Sequence, residues 1–553
     1  MSFLPFSNMK QPQDDQHSGH LLLRDKNKRK KMDMRLHATL FLLLLPCPNG
    51  ATPPHADCPD KCQCFTAARV LCADEHMTSL PANLSQEAVE VVVMTSALQY
   101  LFPGAFEESP QLTKLVFLNN PLRSIHSQAF RNLSELRELE ISGSPWLDHL
   151  FLGTFSEQGN LTELQLNYNK FQTFLPGSFD SLERLESLQM KANVISDLPV
   201  SLFRNLRNLR VLDLSLNKIP KVEKETFSGL SAVEILKLSN NRIANISSDV
   251  FCHVPRLTEL HLEGNGISRL ADGVFSALAD LTVLNLRGNR LMSFSDTALG
   301  PESSNLTHLD LRGNRLTELS HFGTLTSLTE LLLSSNELAS LPRDLLQNVS
   351  ALENLDLSEN RLTSLPDGIF YGLKSLKIIY LQKNQLTDLD SRLFKDQEMI
   401  QQLYLSYNRL QNLPLGLLDR FALPHILRLH GNPWKCDCHL WYLHDFVLNS
   451  HRDVEMPDRV VCESPRFLRM RPLASIHREE LVCPLADGDP TDLSACILRK
   501  SANSLVIRCK VEKCSTLAVQ VQYLGDDGAV HEHLWKKNNS LCANITVTQA
   551  PIP

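Results

Sequence analysis

From about Ala88 to Trp434 the chain repeats one arrangement of apolar and polar positions every 24 residues or so, and Leu352–Pro366, L-E-N-L-D-L-S-E-N-R-L-T-S-L-P, shows it most plainly. Counting from the first apolar position, units start near 88, 112, 136, 161, 185, 209, 233, 257, 281, 306, 328, 352, 376 and 400, and a half unit from Pro424 ends in N-P-W. Alternation such as Leu355 and Leu357 around Asp356 and Ser358 predicts a short strand with leucines inward and the intervening residues outward. The ninth position holds Asn120, Asn169, Asn193, Asn217, Asn241, Asn265, Asn289, Asn314, Asn336, Asn360, Asn384, Asn408 and Asn432, with Ser96 and Ser144 as exceptions. An asparagine can both donate to and accept from backbone groups where the chain leaves the strand, so repeated copies predict a ladder. Later in each unit Phe106, Phe130, Phe155, Phe179, Phe203, Phe227, Phe251, Phe275, Phe370 and Phe394 share a position, replaced by Leu299, Leu346 and Leu418, and read as a structural spine on the convex side.

This periodicity predicts an α/β leucine-rich-repeat solenoid, a horseshoe of about 14 repeats with a parallel concave sheet. The unit from Leu306 has 22 residues and the one before it 25, which leaves two readings open: a joint near Gly300–Gly323, or slippage confined to the convex connection. The expected organisation is an N-terminal extension foreign to the mature protein (1–31), a signal peptide (32–55), an N-terminal cysteine cap (56–87), repeats (88–423), a C-terminal cysteine cap (424–484) and a small β-rich cystine tail (485–553). The signal reading rests on Arg35 followed by an apolar core, Leu36–Leu45, too short to span a bilayer. No later apolar run approaches 18 residues, so no transmembrane segment is expected.

Cysteine placement sharpens the picture. Of 14 cysteines, Cys58, Cys62, Cys64 and Cys72 precede the repeats, Cys436, Cys438, Cys462 and Cys483 follow them, and Cys496, Cys509, Cys514 and Cys542 lie in the tail. Even sets at both ends predict disulfides in an oxidising compartment, with zinc as the lesser alternative. Expected pairs in the second cap are Cys436–Cys462 and Cys438–Cys483, and Leu440, Trp441, Leu443 and Phe446 are expected to cover the last repeat. His439 and His444 are read as surface positions on a cap helix, not as metal ligands, and His531 and His533 as loop residues. Cys252, the one cysteine within the repeats, should be partly exposed and is a candidate free or intermolecular thiol.

The net charge of −7 gives no bulk attraction to nucleic acid, which is not an expected partner. Outward strand residues are chemically mixed. Two groups stand out as candidate partner sites: the apolar pair Val116 and Leu118, expected to be exposed near one end, and the stacked tyrosines Tyr380 and Tyr404 near the other. Eight N-x-S/T sequons, at Asn83, Asn132, Asn160, Asn245, Asn305, Asn348, Asn538 and Asn544, reinforce secretion, and Asn132 and Asn348 sit just past the spine, leaving the concave face free for docking. No G-x-S-x-G, H-E-x-x-H, phosphate loop or paired acid set occurs, so neither catalysis nor a cofactor is expected.

The cap C-P-x-x-C-x-C, the run L-T-K-L-V-F-L-N-N-P-L, the cap G-N-P-W-K-C-D-C-H-L-W-Y-L and the cystine-rich extension after it resemble the regulatory subunits of plasma carboxypeptidase N complexes. That resemblance implies a glycosylated, non-catalytic plasma protein that binds and stabilises a secreted zinc carboxypeptidase catalytic subunit. The implied assembly is a hetero-oligomer, with a dimer of heterodimers as one form, and the zinc would belong to the partner. The competing reading is an extracellular binding protein for a matrix, receptor or microbial ligand.

Overall fold

The computed structural model describes residues 58–300, 304–449 and 453–481 in full, together with the backbone of six strands between Thr491 and Gln549. The expected N-terminal extension, the signal segment and Cys483 lie outside the described residues.

One 17-stranded sheet runs through the repeats. It starts with an antiparallel hairpin, Cys62–Thr66 with Arg69–Cys72, and continues as parallel strands from Glu90–Met94 to Ile426–Arg428. Each repeat strand pairs with the next in strict register, as in Leu331↔Leu355↔Ile379↔Leu403↔Leu427, so the inward leucines stack into a continuous buried column. Most strands are only three residues long, because the chain turns at once into the asparagine position.

The ladder forms as expected. Asn360 Nδ2 donates to Leu333 O of the preceding unit at 3.0 Å and to its own Leu357 O at 3.1 Å, while Oδ1 accepts from Leu338 N at 3.1 Å. A buried amide thus satisfies three backbone groups that no strand partner reaches. At the first exception Ser96 Oγ donates to Asn120 Oδ1 at 2.6 Å, so the shorter side chain still joins the ladder.

One position earlier lies a regularity that hydropathy does not reveal. The residue before the ladder position has positive φ in every unit: Thr95, Asn119, Gly143, Tyr168, Ala192, Leu216, Asn240, Gly264, Gly288, Gly313, Ser335, Glu359, Lys383, Tyr407 and Gly431. Only some are glycines, so each of the others holds a left-handed conformation that disfavours a Cβ, at roughly 1–2 kcal/mol. The turn that presents the asparagine inward enforces that geometry.

On the side opposite the sheet the connections are turns and short 3-10 segments, and the one α-helix among the described residues, Trp441–Asn449, belongs to the C-terminal cap. The phenylalanine spine is buried, with Phe130, Phe155 and Phe179 stacked at 6.3 Å centroid spacing and Phe370 on Phe394 at 5.6 Å. The irregular units do not interrupt the sheet: His308–Asp310 pairs on both sides, and Asn314 and Asn336 accept from Leu291 N and Leu316 N at 3.0 and 3.1 Å. Their length difference is taken up on the opposite side, where buried Asp296 accepts from Thr324 N and Oγ1 at 3.1 and 2.9 Å. The slippage reading therefore holds for the sheet.

Both caps are disulfide-bonded. Cys58 pairs with Cys64 and Cys62 with Cys72 at one end, and Cys436 pairs with Cys462 at the other. Cys438 is also in a disulfide. Leu440 and Leu443 cover the last repeat, but Trp441 is 42% exposed, because the helix turns that position outward under Arg478, 5.1 Å from the ring. His444 is likewise not a surface residue: it is buried, and Nε2 hydrogen-bonds Ile476 O at 2.8 Å, tying the helix to the following loop. Tyr442 completes the clasp, donating to Asp419 Oδ1 at 2.8 Å and accepting from Leu418 N at 2.9 Å, and burial pushes its phenol up.

The tail is β-rich as expected, with Cys496 directly opposite Cys509 in an antiparallel register. His531 and His533 lie in the strand Val530–Lys537 rather than in a loop, paired with Leu517–Leu524. Cys514, Cys542, Asn538 and Asn544 lie outside the described residues.

Candidate functional site

The outward residues of the sheet form columns, since parallel in-register strands place equivalent side chains side by side, about 4.8 Å apart. Along one column run Leu332, Asp356, Tyr380, Tyr404 and Arg428 on five adjacent strands. The structure thus brings the two predicted tyrosines together. Their ring centroids are 4.9 Å apart in an edge-to-face arrangement, and both hydroxyls point to Gln402 Oε1, at 3.4 and 3.2 Å. Edge-to-face pairing matches the positive rim of one ring to the negative face of the other.

The neighbours of this pair were not foreseen. The Arg428 guanidinium lies 4.1 Å from the Tyr404 ring centre, a cation–π contact that covers the outer tyrosine and leaves it 8% exposed. Glu455, from the C-terminal cap, grips the same guanidinium bidentately at 2.6 and 3.1 Å, and this hydrogen bonding raises the arginine's affinity for its proton. The cap therefore does more than close the core, because it fixes the side chain that fixes Tyr404. His430, two residues past the end of the strand, is buried against the edge of Tyr407 with its Nδ1 unpartnered among the described residues, and burial, together with Arg428 and Arg459, pulls its imidazole below the usual range. On Tyr380, burial first and then Tyr404, Asp356 and Glu330 raise the phenol.

Toward the N-terminal end the expectation fails for Val116. It is buried, 6% exposed, because its neighbours in register, Val92 and Glu140, pack along both sides of a five-residue strand. Leu118 is half-buried between Met94 and Ser142. The pair therefore does not form an exposed apolar patch. Beside it Glu140 is raised chiefly by burial, a local cost that sequence did not indicate.

Among the remaining candidates, Cys252 is free and exposed. Asn83, Asn132, Asn245, Asn305 and Asn348 are exposed, while Asn160 is half-buried. The Asn160 and Asn305 amides donate to Ser134 O and Ala279 O of the preceding unit at 2.9 and 3.0 Å. One metal-sized group occurs among the described residues, Asp437, Cys438 and His439. Its cysteine is in a disulfide and offers no thiolate, while Asp437 caps the following turn by accepting from His439 N at 2.9 Å.

A capped solenoid with one continuous sheet is a scaffold for protein interaction, and this chain is a leucine-rich-repeat protein with disulfide-bonded caps. The family model described as Leucine rich repeat matches residues 135–195, 183–243, 207–267, 232–291, 255–316, 304–362 and 350–410. Among curated proteins, human (Homo sapiens) carboxypeptidase N subunit 2 is 33% identical over 118 residues, covering 17% of this chain and 22% of that protein. Trophoblast glycoprotein of Macaca fascicularis is 32% identical over 133 residues, covering 22% and 31%. The chain thus spans under a third of the length of either relative. Among solved structures, a leucine-rich-repeat protein of Leptospira interrogans aligns over 63% of this chain and 93% of its own, at TM-score 0.50 and 26% identity. The TLR13–ssRNA13 complex aligns over 68% and 55% at TM-score 0.53 and 23% identity, a likeness of fold.

Proposed function

We propose that the chain is a secreted binding protein that docks another extracellular protein on the C-terminal third of its sheet face. The observation that carries this reading is the Tyr380–Tyr404–Arg428 row, locked from the cap by Glu455. Rigid aromatic and arginine side chains lose little freedom on binding and dominate protein interfaces. Sequons at Asn132 and Asn348 follow the buried spine, so glycans there leave the row uncovered. In this reading 32–55 is cleaved on secretion, 1–31 is absent from the mature protein, and the repeats, caps and tail keep the boundaries expected from sequence.

Similarity to carboxypeptidase N subunit 2 favours one specific version. In it the partner is a secreted zinc carboxypeptidase catalytic subunit, which this chain stabilises in plasma within a hetero-oligomer. The test is non-denaturing purification of the tagged chain from plasma, with identification of stoichiometric partners. Co-purifying Arg/Lys-specific carboxypeptidase activity, absent from the isolated chain, supports that version. A matrix or receptor protein in its place supports only the broader reading, and loss of no partner on Tyr380→Ala refutes the assignment of the face.

A further inference from the structure

The charges around the tyrosine row do not balance, and the imbalance has a location. The carboxylates of Asp310, Glu330, Asp356 and Glu455 face two guanidiniums, and both guanidiniums are held elsewhere: Arg312 by Asp310 at 2.6 Å and Arg428 by Glu455 at 2.6 Å. On the flanks Lys377 pairs with Glu353 at 2.8 Å and Lys383 with Glu359 at 2.6 Å. Among the described residues neither Glu330 nor Asp356 forms an ion pair with a Lys or Arg, and Arg312, which interacts with both at longer range, is hydrogen-bonded to Asp310. Glu330 accepts from Asn354 Nδ2 at 2.6 Å with His308 3.8 Å away, and Asp356 Oδ1 accepts from Ser358 N and Oγ at 3.0 and 2.6 Å. Asp356 is directly beside Tyr380 in register, and Leu332 is on its other side.

We propose that this column, Leu332–Asp356–Tyr380, receives a cationic side chain, an arginine or a lysine, from an extended segment of the partner polypeptide. The inference rests on the docking reading above and names the chemistry of its occupant. The aliphatic stem lies along Leu332, the cation meets the Tyr380 face, and Asp356 and Glu330 neutralise it. The column already contains one example of this chemistry, since Arg428 sits over Tyr404 and is neutralised by Glu455. The proposed occupant repeats that chemistry at Tyr380, on the side away from Tyr404, where Asp356 and Glu330 form no ion pair with a Lys or Arg of the described residues.

The probe is fluorescein-labelled hexa-arginine, compared with hexa-citrulline, which keeps the shape and loses the charge. Binding to the full mature chain is read by anisotropy, and plasma-partner capture is read in parallel. The expected result is at least tenfold tighter binding of hexa-arginine, weakened at least fivefold by Tyr380→Leu and by the double variant Glu330→Gln, Asp356→Asn. Those amides keep the acceptors used by Asn354 and Ser358, so the fold is preserved while the charge is removed. A control double variant on another part of the chain, Glu183→Gln with Glu186→Gln, should bind as wild type. Equal losses in the control, or wild-type binding by the Glu330/Asp356 double variant, overturn the cation site. If Tyr380→Leu loses the plasma partner while Glu330→Gln, Asp356→Asn retains it in full, the docking face stands and the cationic occupant is refuted.

Discussion

Replacing Leu216 with glycine should leave the stability of this protein nearly unchanged, although it deletes a large apolar side chain. Leu216 has φ 58° in the turn before Asn217 and is 42% exposed. A left-handed L-residue costs about 1–2 kcal/mol, which glycine would relieve. Against this, glycine frees the unfolded chain at a cost of about 0.4–1 kcal/mol, and losing the buried part of a leucine that is 42% exposed costs about 1 kcal/mol more. These contributions nearly cancel, so the urea midpoint should stay within about 0.5 kcal/mol of wild type at unchanged slope. Lys218→Gly, two residues on at an exposed position that is not left-handed, removes no strain and should destabilise. If both glycines lower the midpoint alike, the claim that the turn imposes strain on every non-glycine unit is wrong.

Asn360→Ala leaves Leu338 N, Leu333 O and Leu357 O without their partner, and at about 1–3 kcal/mol per buried orphan the loss should exceed about 3 kcal/mol, visible by urea unfolding. Ser96→Ala breaks the side-chain link to Asn120 and strips the buried Leu98 N of its acceptor, and should cost about 1–3 kcal/mol by the same measurement. His430 supplies a pH test: its folded-state value lies below the ordinary 6.5, so the unfolded chain binds the proton more readily and stability falls as pH drops below about 6.5. His430→Gln should flatten that part of the midpoint-versus-pH curve between pH 7 and 5, and an unchanged curve would show that burial does not disfavour the imidazolium.

Much of the fold was legible because one physical requirement repeats. Inward leucines, ladder asparagines and the phenylalanine spine each recur at a fixed position, so tertiary contacts are encoded by local spacing. The left-handed column was equally periodic but carries residues as unlike as Tyr168, Glu359 and Gly288, so no residue type marks it; the signal available was the recurrence of Gly143, Gly264, Gly288, Gly313 and Gly431 there. At the site, the tyrosine pair followed from the register alone. Glu455 did not, since it comes from a cap segment whose path is set by packing and the Cys436–Cys462 bond rather than by the repeat. Val116 failed because an outward position on a long strand can still be covered by its neighbours, and His444 because it shares the buried face of the cap helix with Leu443 and Val447, where its polar ring finds a backbone acceptor in the following loop.

The central claim, that the C-terminal part of the sheet face is where a partner binds, is tested most directly by site-specific photocrosslinking in plasma. The photoreactive benzoylphenylalanine is placed either at Tyr380 on the sheet or at Tyr371, which is 72% exposed in the turn after the phenylalanine spine. The account predicts a discrete protein adduct from position 380 and none from position 371. An adduct from 371 with none from 380 would contradict it.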